Sequence, residues 1–120
     1  MDKLKIVNLT RDTLLADKAE LAVSLGQRTK GLLGRLNLGK GEGLVIKPCS
    51  SIHTFFMHFA IDVIFVDKAF QVAKTIEHMQ PFRISNPFLF AHLVIELPVG
   101  TISQTNTKRG DRLALQPLGL

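Results

Sequence analysis

Residues 49–67, CSSIHTFFMHFAIDVIFVD, contain the clearest indication of fold class in the chain. This stretch is the most apolar and most β-prone part of the sequence, yet it also contains nearly all of the reactive side chains. A polar group placed among Phe, Ile and Val costs about 1–3 kcal/mol unless it finds a partner. The stretch therefore predicts buried strands, and it indicates where a functional site would lie.

The alternation of this stretch predicts two different faces. A regular strand begun at Ile52 would direct Thr54, His58 and Asp62 to one face, because side chains alternate along a strand. The opposite face is almost wholly apolar and is expected to be core: Phe55, Met57, Phe59, Ile61, Val63 and Phe65. The mixed face could line a cleft.

Short β-prone segments separated by turn residues recur along the rest of the chain. We predict strands at residues 4–9, 13–16, 20–23, 44–47, 53–57, 61–66, 70–77, 93–97 and 112–115. Many short strands of this kind are typical of an antiparallel sandwich or barrel. The sequence therefore predicts a mainly β fold in a single domain spanning residues 1–120.

Two helices are predicted between the strands. Ser24-Leu-Gly-Gln27 fits a capping box, in which Ser and Gln bond the first turn reciprocally. Leucines recur behind it at helical spacing, which predicts one short amphipathic helix. Thr101-Ile-Ser-Gln104 repeats the capping-box spacing and predicts a one-turn helix near the C-terminus.

Composition limits the classes of function. The net charge is +5, and residues 1–50 hold nine Lys/Arg against five Asp/Glu. This basic cluster could face an anion, but Tyr and Trp are absent and the eight Phe are expected in the core, which argues against nucleic acid as a partner. No segment approaches a membrane span, and one cysteine with no signal-like start predicts a cytoplasmic protein.

A metal site is the first chemistry to consider. Cys49, His53 and His58 are good zinc ligands and lie within ten residues. Four residues of strand span roughly 13 Å, however, and His53 and His58 would lie on opposite faces. The sequence therefore predicts no metal and no other cofactor.

Catalysis is the second alternative. Cys49 near two histidines resembles a thiolate–imidazole pair, and His53 with Asp62 could serve as a base. None of the phosphate-binding or nucleophile motifs accompanies them. Cys49, His53 and Asp62 thus stay as catalytic candidates, although a free cysteine is most often a small buried hydrophobe.

Two carboxylates in apolar strands suggest a third alternative. Asp62 and Glu96 need cations or backbone donors if they are buried, and Arg28 and Arg35 are the natural partners. Such pairs could be purely structural. They could instead belong to an open pocket for a small polar ligand.

Several segments resemble, in order, the motifs of the bacterial and archaeal family called domain of unknown function 192. Residues 28–35, RTKGLLGR, resemble its R-x-x-G-L-M-x-R element, and residues 43–46, GLVI, resemble its G-M-L-F strand. HTFFM and IDVIFVD resemble its F-W-M and P-L-D-I-I-F-L-D block, while LVIELPVG and the later Gly-Asp pair resemble its closing elements. The resemblance covers about residues 20–115.

The resemblance implies a compact, mainly antiparallel β-fold with one short helix near the basic cluster, and no established activity. It favours these characteristic positions: Arg28, Gly31, Arg35, Met57, Asp62, Glu96 and Gly110. Of these, Gly31, Met57, Glu96 and Gly110 are expected to be structural. This chain departs from the family pattern at Phe56, where Trp is common, at Leu33 in place of Met, and at Ala60 in place of Pro.

Taken together, the sequence favours a non-catalytic module that binds a small anionic or polar ligand or a protein segment. The expected ligand-binding residues are Arg28, Arg35, His53, Thr54, His58 and Asp62. The alternatives are a hydrolase or transferase that uses Cys49 or His53/Asp62, and weak nucleic-acid binding through the basic cluster.

Overall fold

A seven-stranded sheet organises residues 2–118, the part of the chain that the computed structural model describes. The strands are β1 (Asp2–Asn8), β2 (Thr13–Ala22), β3 (Glu42–Ile46), β4 (Ile61–Val66), β5 (Val72–Met79), β6 (Leu93–Leu97) and β7 (Leu113–Pro117), and the helices are α1 (Leu25–Lys30) and α2 (Thr101–Gln104). The strand order is β5-β4-β6-β3-β2-β1-β7. The sheet curls into a half-barrel, which confirms the predicted mainly β class with two short helices.

The sheet is mixed, because β2 and β3 pair in parallel while the other neighbouring strands pair antiparallel. Parallel neighbours need a long crossover connection. Residues 23–41, which contain α1, form that connection. The crossover therefore lays α1 beside the sheet, next to β3 and β6.

Two apolar clusters cover the two faces of the curled sheet. Every residue of β4 and β6 is buried, so these strands contribute to both faces. One face holds Ile64, Val66, Ile95 and Leu97 together with α2, and the other holds Val63, Phe65, Val94 and the segment after α1. No helix within residues 2–118 is long and apolar enough to cross a bilayer.

Strand β2 is continuous, whereas the sequence pattern predicted two strands joined around Asp17-Lys18. The register against β1 shifts between Leu4 and Ile6, which is where a bulge absorbs the extra residues. The backbone N–H groups of Asp17 and Lys18 both donate to the carbonyl of Gly41, so the chain stays extended through this point.

Helix α1 is confirmed with its capping box but is shorter than the leucine spacing predicted. The Ser24 hydroxyl accepts from the Gln27 N–H, and the Gln27 side chain accepts from the Ser24 N–H. The helix stops at Gly31, whose positive φ of 49° with a ψ of −125° is a backbone conformation that favours glycine. No residue of α1 is buried, and Leu32, just beyond it, packs into the core instead.

The predicted strand at residues 53–57 is wrong, since only His53 pairs, in a single bridge with Ile84. The Thr54 side chain explains the difference. Its hydroxyl donates to the Gln80 carbonyl at 2.6 Å and accepts from the Arg83 N–H at 2.9 Å, which ties this segment to a loop rather than to a strand. The backbone then turns at Phe56, where φ is 63°.

The expectation that the Phe residues form the core is also wrong for most of them. Phe65 is fully buried, whereas Phe55, Phe56, Phe70, Phe82 and Phe90 are exposed. The exposed members lie in loops, where alternation along a strand does not apply.

Candidate functional site

A cavity of about 210 Å³ opens between α1, the segment 48–53 and the sheet. Arg28 and Gly31 line it from the helix, Cys49 and His53 from the loop, and Glu96 from β6. Met57 and Ile46 also contribute to the wall. The cavity therefore gathers residues from distant parts of the sequence.

Glu96 is the buried ionisable group of this cavity. It lies on β6, where its backbone pairs with Leu44 of β3 and Val63 of β4, and it is only 3% exposed. Burial raises the pKa of Glu96 from 4.5 to about 7, and no charge or hydrogen bond among residues 2–118 offsets this effect. A carboxyl group of this kind exchanges a proton near neutral pH.

Arg28 contributes a cation on the helical side of the cavity. Its Nη1 atom donates to the Pro48 carbonyl at 3.3 Å, which orients the guanidinium group across the loop. Its Nε atom is buried and has no hydrogen-bond partner among residues 2–118. A buried donor without a partner costs about 1–3 kcal/mol, so an acceptor placed here would be stabilised.

Cys49 is influenced by both charges. Burial raises the pKa of the Cys49 thiol, and the negative charge of Glu96 raises it further. The hydrogen bond that Sγ donates to the Ser51 carbonyl at 3.1 Å and the positive charge of Arg28 both lower it. The net direction is upward, so the thiol stays protonated at neutral pH. A nucleophilic cysteine needs the opposite shift.

His53 lies at the exposed edge of the cavity. Its Nδ1 atom accepts from the Phe55 N–H at 3.3 Å, and the two rings stack with their centroids 5.3 Å apart. His53 can therefore contact a ligand in the cavity, and its ring is held in place by Phe55.

Asp62 lies on the opposite face of the sheet from the cavity that His53 and Arg28 line. Its carboxylate is fully buried and accepts from the N–H groups of His78 at 2.9 Å, Gly100 at 3.1 Å and Ile102 at 3.0 Å. Backbone donors thus replace the cation expected from the sequence. The same contacts cap α2, which has Gly100 as its N-cap and no capping-box bond from Thr101.

The other predicted ligand-binding residues also lie outside the cavity. Thr54 is buried and its hydroxyl is already bonded within the 80–83 loop. Arg35 forms ion pairs with Glu42 at 3.2 Å and Glu20 at 3.8 Å. His58 is exposed and is not among the lining residues.

Three of the residues expected to be structural also line the cavity: Gly31, Met57 and Glu96. Gly110, the fourth, adopts a φ of 91° in the turn before β7 and donates to the Val72 carbonyl. The sequence did contain a signal for Glu96. A Glu within the apolar run Leu-Val-Ile-Glu-Leu is expected to be buried, and no Lys or Arg on the same strand could neutralise it. Within residues 2–118, no group of three His, Cys, Asp or Glu side chains is placed to hold a metal ion.

Comparison with known proteins identifies relatives over nearly the whole chain. A UPF0127 protein of Thermococcus sibiricus is 30% identical over 112 residues, covering 90% of this chain and 72% of the relative. The UPF0127 protein PH1112 of Pyrococcus horikoshii is 39% identical over 111 residues, covering 90% of this chain and 96% of the relative.

A crystal structure of a proposed transcription regulator from Sinorhizobium meliloti is similar in fold. Its TM-score is 0.78 at 21% identity, with 95% of this chain and 92% of that chain covered. At this identity the likeness concerns the fold alone. The sequence model of the DUF192 family, described as an uncharacterised ACR, matches residues 6–115, and the chain therefore belongs to this uncharacterised family.

Proposed function

We propose that the Arg28–Glu96 cavity binds a small polar ligand. The observation that supports this most strongly is Glu96, which is 3% exposed, lines the cavity and has nothing to offset its burial among residues 2–118. A buried carboxyl group with no partner is unfavourable in the empty protein. A ligand that supplies a hydrogen-bond donor or a positive charge would remove that penalty.

The two sides of the cavity differ in what they would bind. Glu96 suits a donor or cation, whereas the buried Nε atom of Arg28 suits an acceptor or anion. Cys49 also lines the cavity, and its pKa is influenced by both groups. The ligand that fits is a small zwitterion, or a polar molecule with a donor at one end and an acceptor at the other.

The volume limits the size of this ligand. Pockets for drug-sized ligands enclose roughly 300–1,000 Å³. The cavity here is about 210 Å³, so the ligand would be smaller than a typical drug. A single amino acid or a short amino-carboxylate is of the right class.

A non-catalytic role fits this site better than a nucleophilic one, because burial raises the pKa of Cys49. Asp62, a second catalytic candidate, is held on the far face of the sheet, away from His53, the third. A cytoplasmic location stays a prediction, and the single unpaired thiol is compatible with it.

The experiment is a ligand titration followed by amide chemical shifts and by thermal unfolding. The panel pairs α-amino acids with matched simple amines and simple carboxylates, so that each half of a zwitterion is tested alone. We expect zwitterions to perturb residues of the cavity wall more strongly than either half. Glu96→Gln, which keeps the shape and removes the charge, should weaken this binding at least about tenfold, equivalent to about 1.4 kcal/mol.

Glu77→Gln is the matched control, because Glu77 is exposed on β5 and lies outside the cavity. It should bind like the wild type. If no compound in the panel shifts the resonances of Arg28, Cys49 or Glu96, the proposal is contradicted.

A further inference from the structure

Six large apolar side chains are exposed together on the loops beside the cavity: Phe55 (38%), Phe56 (74%), Phe82 (56%), Ile84 (71%), Leu89 (89%) and Phe90 (76%). We call this set the aromatic surface. Singly exposed apolar residues are ordinary, but a group of them on one side of a small domain marks an interaction site. The cavity does not include any of the six.

The loops that form the aromatic surface are joined to each other. The rings of Phe56 and Phe82 meet edge to face, with centroids 5.8 Å apart. His53 bridges to Ile84, and the Thr54 hydroxyl bonds residues of the 80–83 turn. Phe90 contacts Phe88, whose N–H donates to the Ser50 carbonyl.

The backbone holds two of these rings in a conformation that bulky residues avoid. Phe56 has a φ of 63° and Phe82 a φ of 60°. A positive φ in a bulky residue is a true outlier, is energetically unfavourable and often marks a functional position. Asn would adopt the same backbone more easily, and neither ring is buried, so core packing does not explain why Phe stands at either position.

The surroundings of the aromatic surface are free of acidic residues in sequence. The segments 43–61 and 78–95, which contain all six side chains, include no Asp or Glu. They do include Lys47 and Arg83, as well as four histidines. Of the neighbouring segment 21–41, Arg28 and Lys30 line the cavity together with His53, whereas Arg35 is paired with Glu42 and Glu20.

We propose that the aromatic surface docks on an anionic lipid bilayer, with the Phe and Leu side chains in the interfacial layer and the basic residues against the headgroups. Burial of apolar side chains and attraction of Lys and Arg to anionic lipid add together in this mode of binding. The positive side chains and the lack of acidic ones match the negative charge of such a surface.

The shape of the aromatic surface favours lipid over a protein segment. Four of its side chains are more than 70% exposed, so they protrude from the domain instead of forming the walls of a groove. A peptide that binds through apolar anchors needs a groove to receive them. A bilayer interface adapts to protruding side chains and requires no matching concavity.

The test is co-sedimentation of the intact chain with vesicles. We expect binding to mixed phosphatidylglycerol–phosphatidylcholine vesicles at low ionic strength, weaker binding as salt rises, and little binding to phosphatidylcholine alone. The double variant Phe56→Asn with Phe82→Asn should reduce partitioning into vesicles at least about tenfold, since two aromatic rings that enter the lipid interface are lost. Asn tolerates the left-handed backbone, so this variant should remain folded by circular dichroism.

Phe70→Asn is the matched control, because Phe70 also has a positive φ, 61°, and is 39% exposed, but lies in the β4–β5 turn outside the aromatic surface. It should bind vesicles like the wild type. Failure of the wild type to sediment with anionic vesicles at low salt would overturn the proposal. Two other results would overturn it as well: vesicle binding by the double variant that equals that of the wild type, or binding of the wild type to a soluble acidic polypeptide but not to vesicles.

Discussion

At the scale of single residues, the three carboxylate side chains that are buried among residues 2–118 differ in what surrounds them. Burial alone would raise the pKa of Asp111, but hydrogen bonds from Arg11, Asn8 and the Lys108 backbone lower it overall. Asp62 is satisfied by three backbone N–H groups. Glu96 has no comparable partner among residues 2–118, and its raised pKa follows from that difference.

Protonation of Glu96 leads to a prediction about stability and pH. Because its pKa rises from 4.5 in the unfolded chain to about 7 in the folded protein, the native state holds the proton more tightly. The stabilisation is complete below the unfolded pKa and is lost as pH rises through the folded pKa. The loss amounts to about 3 kcal/mol at 1.36 kcal/mol per pKa unit.

Glu96→Gln should remove this dependence, because Gln does not titrate. Urea unfolding of both proteins at a series of pH values measures the difference, which should grow in favour of the variant between about pH 4 and pH 8. Parallel curves for the two proteins would show that the Glu96 pKa is not raised.

At the scale of elements, Asp62 joins three of them. Its carboxylate, on β4, bonds the backbone of β5 at His78 and the start of α2 at Gly100 and Ile102. His78 adopts a φ of 55°, and the register of β4 against β5 shifts at this point. One side chain thereby holds an irregular strand pair and a one-turn helix in place.

We expect Asp62→Asn to destabilise the fold by about 3 kcal/mol. The amide of Asn has one acceptor oxygen where the carboxylate has two, and its NH2 group would face backbone N–H groups, which are donors as well. Urea unfolding would measure the loss. Asp12→Asn is the control, since Asp12 is exposed at a φ of 55°, which Asn tolerates, and its stability should match the wild type. A loss below about 1 kcal/mol at Asp62 would contradict the role given to its three bonds.

At the scale of the whole molecule, the two apolar clusters share strands β4 and β6. Ile64 and Ile95 face one cluster, while Val63 and Val94 face the other. If β4 or β6 left one cluster, its alternate side chains would be removed from the other cluster as well. The domain should therefore unfold as one unit, as the prediction of a single domain over residues 1–120 requires.

This cooperativity can be measured by methyl NMR during urea unfolding. The methyl signals of Ile6, in the first cluster, and of Ile46, in the second, should disappear with the same midpoint. Circular dichroism of the sheet should follow the same curve. Separate midpoints would show that the two faces are independent and that the single-domain prediction fails.

The sequence by itself determined the elements whose signals are local. The apolar runs of β4 and β6 and the capping box of α1 could be predicted, because each depends on residues only a few positions apart. The one-turn helix at Thr101 was predicted as well, but Asp62, distant in sequence, caps it in place of the expected capping box. The family resemblance followed from the same motifs.

Only the tertiary structure decided which polar residues meet. Strand alternation showed that Asp62 and Glu96 each interrupt an apolar run, but not that one faces backbone donors and the other faces a cavity with Arg28. The exposure of Phe56 and Phe82 was equally hidden, because it depends on loops that Thr54 ties together from distant positions. Local patterns determine the conformation of a segment. A site depends instead on residues that are distant in sequence and that the β2–β3 crossover and the long loops bring together.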